Sequence, residues 1–244
     1  MEIGLTKMDD AFRAAQAGKK SAHSPAARLT PSIFQYDYLA LRSLSADVQR
    51  LISEIPQGML RALDLGADKS PYRPALESRG LRVETLDVTL DSGADHQGTV
   101  ESTGLPDASF DVVLCTQVLE HCDDPFQGIR EIRRILVPGG RAILSVPHVW
   151  FFHPHPKDHW RFTQQGLFRL CRMGGLEPRL MLSQGGSLLT AAQVMNFLAY
   201  GVLGRAGAPL YAAVNWVGGI ADRAAPNVLF CHNFACLAEK PLRA

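Results

Sequence analysis

Arg61-Ala62-Leu63-Asp64-Leu65-Gly66 is a short apolar run closed by a glycine. It reads as a buried strand that ends in a tight turn. Roughly twenty residues on, Leu81-Arg82-Val83-Glu84-Thr85-Leu86-Asp87 has the same strand character and ends in a carboxylate. Strand, glycine turn, helix, strand, acid is how a doubly wound sheet holds an adenosine-type cofactor. The turn lets the backbone approach the ligand, and the acid accepts hydrogen bonds from ribose hydroxyls.

The flanking sequence extends this reading. Leu41, Leu44, Val48, Leu51, Ile52 and Ile55 recur at helical spacing over 33–55, before Pro56-Gln57-Gly58 stops the pattern. Residues 71–79 read as the first crossover helix, closed by Gly80, and 81–88 as the second strand. Residues 90–98 are polar and loop-like. Leu105-Pro106-Asp107-Ala108-Ser109 is a turn, and Phe110-Asp111-Val112-Val113-Leu114-Cys115-Thr116 a strand buried on both faces. Asp123 or Asp124 is placed to cap a helix with Pro125 in its first turn, carrying Phe126, Ile129, Ile132, Ile135 and Leu136 inward. Pro138-Gly139-Gly140 ends it, and Arg141-Ala142-Ile143-Leu144-Ser145-Val146 is the next strand. Strands alternating with helices imply right-handed crossovers and a parallel sheet. A loop dense in His, Pro and aromatic residues follows, then a helix over 163–172 and strands over 176–182 and 228–238.

The bulk numbers exclude several classes. The chain has 244 residues, 46% hydrophobic and 20% charged, ordinary values for a globular protein. A formal net charge of +1 gives no general attraction to nucleic acid, and no nucleic-acid partner is expected. Cys115, Cys122, Cys171, Cys231 and Cys236 form no C-x-x-C pair. Residues 1–20 carry no apolar core of the secretory type. Together these point to a reducing, cytoplasmic setting.

Taken in order, several segments resemble the class I S-adenosylmethionine-dependent methyltransferases, and within them the type 11-like bacterial group found with glycan and lipid biosynthesis. They are Leu63-Asp64-Leu65-Gly66-Ala67, the run from Leu105 to Val113, Val118-Leu119-Glu120-His121 with Asp124-Pro125, Arg134-Ile135-Leu136-Val137-Pro138-Gly139-Gly140, and Pro156-Lys157-Asp158-His159-Trp160-Arg161-Phe162-Thr163. The likeness covers roughly 60–182 and is strong because five pieces recur in order. It implies a Rossmann-like, doubly wound α/β sheet of about seven strands, the last antiparallel, with an N-terminal helix and a helical insertion before the last strand. Residues 1–56 would be an N-terminal helical cap and 57–244 the cofactor domain, with 185–226 an apolar insertion. S-adenosylmethionine would lie against Asp64, Leu65, Gly66 and Ala67, its ribose against Asp87 and Val88, its adenine near Glu101, and its far wall at Gln117. The sequence departs from the family at Gly66-Ala67-Asp68-Lys69-Ser70, where Asp68 and Ser70 replace glycines. These offer fewer cheap left-handed conformations, although Asp tolerates one better than most residues. G-x-G-x-x-G is absent, which disfavours a nicotinamide dehydrogenase.

The expected reaction is methyl transfer to an oxygen or nitrogen of a small-molecule, glycan-like or lipid-linked acceptor. His148, His153, His155 and His159 are the candidate bases, because imidazole titrates near neutral pH. Asp158, Trp160 and Arg161 read instead as a structural clamp. Two alternatives stand beside this: a non-catalytic cofactor-binding module, and a metal-assisted O-methyltransferase. The metal form would need Glu120, His121 and His148 to share a cation, and Gln117 stands where such relatives carry a further acid, so no metal is expected. Glu120 and His121 read instead as hydrogen-bonded supports of the loop after the fourth strand. Residues 185–204 contain no charge, yet Thr190, Gln193, Asn196 and Tyr200 alternate with Leu188, Ala192, Met195, Ala199 and Val202 at helical spacing. The expectation is a helical pair over the site or against the partner in a homodimer, with peripheral membrane contact as the other reading.

Overall fold

A computed structural model describes residues 28–88, 93–153 and 157–242. Seven strands form one sheet: β1 (Arg61–Leu65), β2 (Arg82–Asp87), β3 (His96–Gln97), β4 (Phe110–Thr116), β5 (Leu136–Pro147), β6 (Glu177–Gln184) and β7 (Asn233–Glu239). Their spatial order is β3-β2-β1-β4-β5-β7-β6. β1 to β5 pair in parallel, and β7 runs antiparallel to both β5 and β6. The order reverses between β1 and β4, so a crevice opens beyond their carboxyl ends.

Side-chain alternation on the strands builds one core on each face. Leu63 and Leu65 of β1, with Val113 and Cys115 of β4, pack beneath α3 (Pro125–Ile135) and α4 (Gln164–Met173). Ala62, Val112 and Leu114 point the other way, against α1 (Tyr38–Ser53) and α2 (Arg73–Glu77). Val48, Leu51, Ile52 and Ile55 belong to that second core, so the boundary expected at residue 56 separates no hydrophobic core. Asp124 caps α3, its carboxylate accepting from the N–H groups of Phe126 (2.9 Å) and Gln127 (3.1 Å), and Pro125 occupies the first turn. Thr163 caps α4 through the Gly166 N–H.

Several boundaries differ from the sequence reading. α1 begins at Tyr38, because the carbonyls of Ile33, Gln35 and Tyr36 accept side-chain amides from the helices before β7. α2 is confined to Arg73–Glu77. α3 stops at Ile135, and Leu136 and Pro138-Gly139-Gly140 already lie in β5, where a register shift opposite Phe110 and Val112 absorbs the irregular backbone. The polar stretch before Gly98 holds β3, which pairs with Leu86 and Asp87. The last strand starts at Asn233 rather than 228. Upstream of it, Asn227 and Ser187 accept the N–H groups of Leu229 and Phe230 in place of a strand partner.

The insertion is a helical hairpin of α5 (Ser187–Leu203) and α6 (Ala208–Ala224). Its polar row points inward. Thr190, Gln193, Asn196 and Asn215 are buried, while Leu188, Met195, Leu198 and Val202 are exposed. The Gln193 amide donates to the Tyr36 carbonyl (2.7 Å) and its oxygen accepts the Ala40 N–H (3.1 Å). Asn196 donates to Asn215, which in turn donates to the Ile33 and Gln35 carbonyls.

Candidate functional site

The turn after β1 closes the way a ligand cradle requires. Gly66 adopts φ +74°, and a Cβ there would lie 2.5 Å from Val118 Cγ2. Only glycine fits both the angle and the space. The Gly66 and Ala67 N–H groups donate to the Leu86 carbonyl, tying the turn to the end of β2. Asp68 and Ser70, the residues standing where glycines are expected, also adopt left-handed φ values of +46° and +45°. The departure in sequence therefore leaves the left-handed backbone in place.

Hydrogen bonds offset the strain of those two residues. The Asp68 N–H donates to the Asp87 carboxylate (2.9 Å), and Asp68 pairs with Arg28 (3.5 Å). The Ser70 hydroxyl donates to the buried Asp64 carboxylate (2.6 Å). Burial pushes the Asp64 carboxyl up to about 7, against the pull of Ser70 and Arg73. Asp64 and Asp87 thus brace the turn from both sides, with Ala67 buried inside it and Val88 exposed at its rim. The Leu65 side chain belongs to the core, so only its backbone is available to a ligand.

On the β4 side, Gln117 has φ +55°. Its N–H donates to the Ser145 carbonyl and its amide to the Ser145 hydroxyl (2.9 Å), so the side chain is drawn toward β5. Glu101 lies on the segment after β3 and accepts the Asp124 N–H (3.0 Å).

The four histidines separate in space. His148 sits at the end of β5, its N–H on the His232 carbonyl and its ring 5.3 Å from Phe234. His159 is outward, paired with Asp123 (3.2 Å). His155 lies outside the described residues. Among the described residues, His153 is the one of the four that joins a cluster, with Glu120 and His121, whose ligand atoms lie within 4.8 Å of one another. His148 is not in it, so His153 takes the place that the metal reading gave to His148.

Each member of the cluster is held from behind. The His121 Nδ1 bonds to the Lys157 carbonyl, and His153 Nδ1 to the Phe151 carbonyl (3.1 Å). A carbonyl only accepts, so both rings carry their proton on Nδ1 and keep a lone pair on Nε2. Burial pushes both imidazoles below their usual range, which keeps them neutral at pH 7. The Asp158 carboxylate accepts the His153 N–H (2.9 Å) and pairs with Arg161 at 2.7 Å. Burial raises its affinity for a proton, but Arg161 and the His153 N–H outweigh that and hold it below the usual carboxylate range. The ion pair expected of Asp158 and Arg161 is present, and the Trp160 indole, expected over the helix from Thr163, donates its N–H to the Cys122 carbonyl (2.8 Å). His159 and Trp160 N–H groups strap the loop to the Glu120 carbonyl.

Glu120 departs from the supporting role that the sequence suggests. Its side chain is 0% exposed, and neither carboxylate oxygen has a hydrogen-bond partner among the described residues. Burial pushes it up to about 8, so it is a neutral acid at pH 7. The adjacent acid and imidazole at 120 and 121 are the only signal of this cluster in the sequence. Two further features escape sequence reasoning. One is Ser70, which reads as a defect in the turn. The other is the aromatic contact of Phe197 on α5 with Trp150 (4.9 Å) and Phe151 (4.7 Å) in the loop after β5. Nothing local signals a contact between residues this far apart.

Comparison with known proteins places this geometry. A family described as a methyltransferase domain matches residues 63–144. A ubiquinone biosynthesis O-methyltransferase of Cereibacter sphaeroides is 32% identical over 145 residues, covering 52% of this chain and 56% of the relative. Among solved structures, the Burkholderia thailandensis 1,6-didemethyltoxoflavin-N1-methyltransferase, with bound S-adenosylhomocysteine, superposes with a TM-score of 0.54 at 15% identity, covering 99% of this chain and 92% of that one. The [4+2]-cyclase SpnF superposes with a TM-score of 0.55 at 19% identity, covering 81% of each chain. The chain spans between 41% and 60% of the length of the curated relatives it matches.

Proposed function

We propose that this chain, which has the class I S-adenosylmethionine-dependent methyltransferase fold with a methyltransferase domain over residues 63–144, transfers a methyl group from S-adenosylmethionine to an oxygen or nitrogen of a small or lipid- or glycan-linked acceptor. One observation carries the reading. The left-handed turn 66–70 is braced by Asp64 and Asp87 at the point where the strand order reverses. That is where a nucleoside can accept backbone approach and donate its ribose hydroxyls to Asp87. The cofactor supplies the electrophilic methyl when bound.

The chain's part is to orient the acceptor and take its proton. His153 would take the proton: its Nδ1 hydrogen is fixed by Phe151, Asp158 lies behind it, and burial favours the neutral ring with a lone pair on Nε2. A charge-assisted hydrogen bond from the ribose to Asp87 is worth about 2 kcal/mol. Titration calorimetry with S-adenosylhomocysteine is therefore expected to show binding, weakened about 30-fold in Asp87→Ala. Absence of binding by the intact chain, or binding of a nicotinamide dinucleotide in its place, overturns the reading. The fold also serves a cyclase, so turnover of a labelled methyl group is the second requirement.

A second reading is favoured by the cluster itself. A ligand atom from each of His121 and His153 and an oxygen of the buried Glu120 carboxyl, which has no hydrogen-bond partner among the described residues, lie within 4.8 Å of one another. That donor set fits a divalent cation, which would polarise an acceptor hydroxyl when bound. Glu120, His121 and His153 would hold it. Activity that is unchanged after exhaustive chelation, with no metal in elemental analysis of the purified chain, removes this reading and leaves the first intact.

A further inference from the structure

We propose that the outward face of the α5–α6 hairpin docks on the surface of a bilayer carrying anionic headgroups. The hairpin is inverted relative to an ordinary surface helix. Its polar residues bond to the entry of α1, while Met195, Leu198 and Val202 of α5 and Trp216, Val217 and Ile220 of α6 form the exposed side. Leu198 is 70%, Val202 85% and Trp216 63% exposed. Both helices anchor to 33–40 through Gln193 and Asn215, so both apolar rows face away from the body of the protein together. A continuous apolar face of this kind on a globular chain marks an interaction surface.

Charge selects the occupant. From 187 to 224 the only charged side chains are Arg205, Asp222 and Arg223. Asp222 is turned to the base of the hairpin, where its oxygens accept the Gly186 and Leu189 N–H groups (both 3.1 Å). The exposed charge is therefore Arg205 at the tip and Arg223 at the base, both cations. In a two-fold contact between copies of this chain, the hairpin would offer those cations only Asp222, which is already bonded to the Gly186 and Leu189 N–H groups. An anionic headgroup layer meets both cations, and it accommodates Trp216 at the interface.

The bonds to α1 argue against spanning, although the stretch Ser187–Ala224 is long and apolar enough for it by composition. Each helix has 17 residues, about 25 Å, at the short limit for crossing a hydrocarbon core of about 30 Å. Insertion would also break the Gln193 and Asn215 bonds to α1. The hairpin lies on the surface, and Phe197 connects it to the Trp150–Phe151 loop beside the histidine cluster.

Flotation of the full chain with vesicles tests this independently of any methyl transfer. The chain is expected to float with vesicles of phosphatidylcholine and phosphatidylglycerol. Leu198→Glu and Val202→Glu, each checked by circular dichroism for an intact fold, are expected to stay at the bottom of the gradient. Removing one cation in Arg205→Ala weakens binding about fivefold. A folded wild-type chain that does not float overturns the proposal. So does a dimer in light scattering that Leu198→Glu splits into monomers, which would assign the face to a second copy.

Discussion

The carboxyl edge of the sheet and the α5–α6 hairpin use buried polar groups in opposite ways. At the edge, the polar side chains converge on one another and on the turn. Asp64 holds Ser70, Asp87 holds the Asp68 N–H, and Asp158 is clamped by Arg161. Left over there are the Glu120 oxygens, which have no hydrogen-bond partner among the described residues, and the Nε2 atoms of His121 and His153, whose Nδ1 atoms are bonded to carbonyls. In the hairpin, Gln193, Asn196 and Asn215 direct their hydrogen bonds to one another and to the α1 entry, and the apolar side chains are left facing out. Burial of a polar group therefore marks chemistry in one region and anchorage in the other. What separates them is where the bonds that are made lead: at the edge to the turn and its loop, in the hairpin to the entry of α1.

The sharpest way to break the contrast is to remove a partner at the edge. Arg161→Ala leaves the Asp158 carboxylate, whose side chain is 1% exposed, without its cation. An uncompensated buried charge costs about 3 kcal/mol, on the order of 9 °C in thermal midpoint for a chain of this size. A scan that shows no lowering of the midpoint would mean the clamp is not what holds the loop.

His232 offers a milder test at the foot of the hairpin, where its ring is buried 3.5 Å from the Thr190 hydroxyl and Nε2 has no partner among the described residues. Burial depresses it to about 3. The folded state therefore excludes a proton that the unfolded chain binds below its ordinary value near 6.5. Stability from this group is complete above that value and declines as pH falls toward 3, by about 2 kcal/mol at pH 5. Asp64 and Glu120, both raised by burial, slope the other way as pH rises from the ordinary carboxylate range through about 7 and 8. The His232 part is therefore read as the difference in urea unfolding between wild type and His232→Leu at pH 7.5 and pH 5. Equal differences at the two values would show the ring is not held neutral.

The same contrast explains what the sequence makes legible. β1 and β4 are readable because a parallel strand buried on both faces is a largely apolar run, β2 because apolar and polar residues alternate in it, and Gly66 because its turn admits no side chain. The brace at Asp87 follows from its place at the end of β2. The Asp68 and Ser70 conformations do not, because their left-handed angles depend on bonds to Asp87 and Asp64 rather than on local preference. His153 cannot be chosen over His148 from sequence, since both follow β5 and only the chain's return past Glu120 separates them. The period of α5 is legible, but not which side faces inward. An amphipathic pattern has two faces, and the usual assignment of apolar to the inside is overturned here by a carbonyl 157 residues away.

That inversion makes the smallest effects the most telling. Gln193→Leu replaces a polar residue in a helix by an apolar one, a change that ordinarily stabilises a buried position. Here it strips the Ala40 N–H and the Tyr36 carbonyl of their partner in a closed site, and the expected loss is about 1.5 kcal/mol. Leu198→Glu places a charge on an apolar row, a change that ordinarily wrecks a core. Here the side chain already stands in solvent, and the unfolding free energy from urea titration is expected to move by no more than about 0.5 kcal/mol. Were the two magnitudes to exchange, with Leu198→Glu costly and Gln193→Leu neutral, the hairpin would be seated the other way round on α1. The inward polar row would then be the free face, and the division of labour between anchorage and chemistry would fail with it.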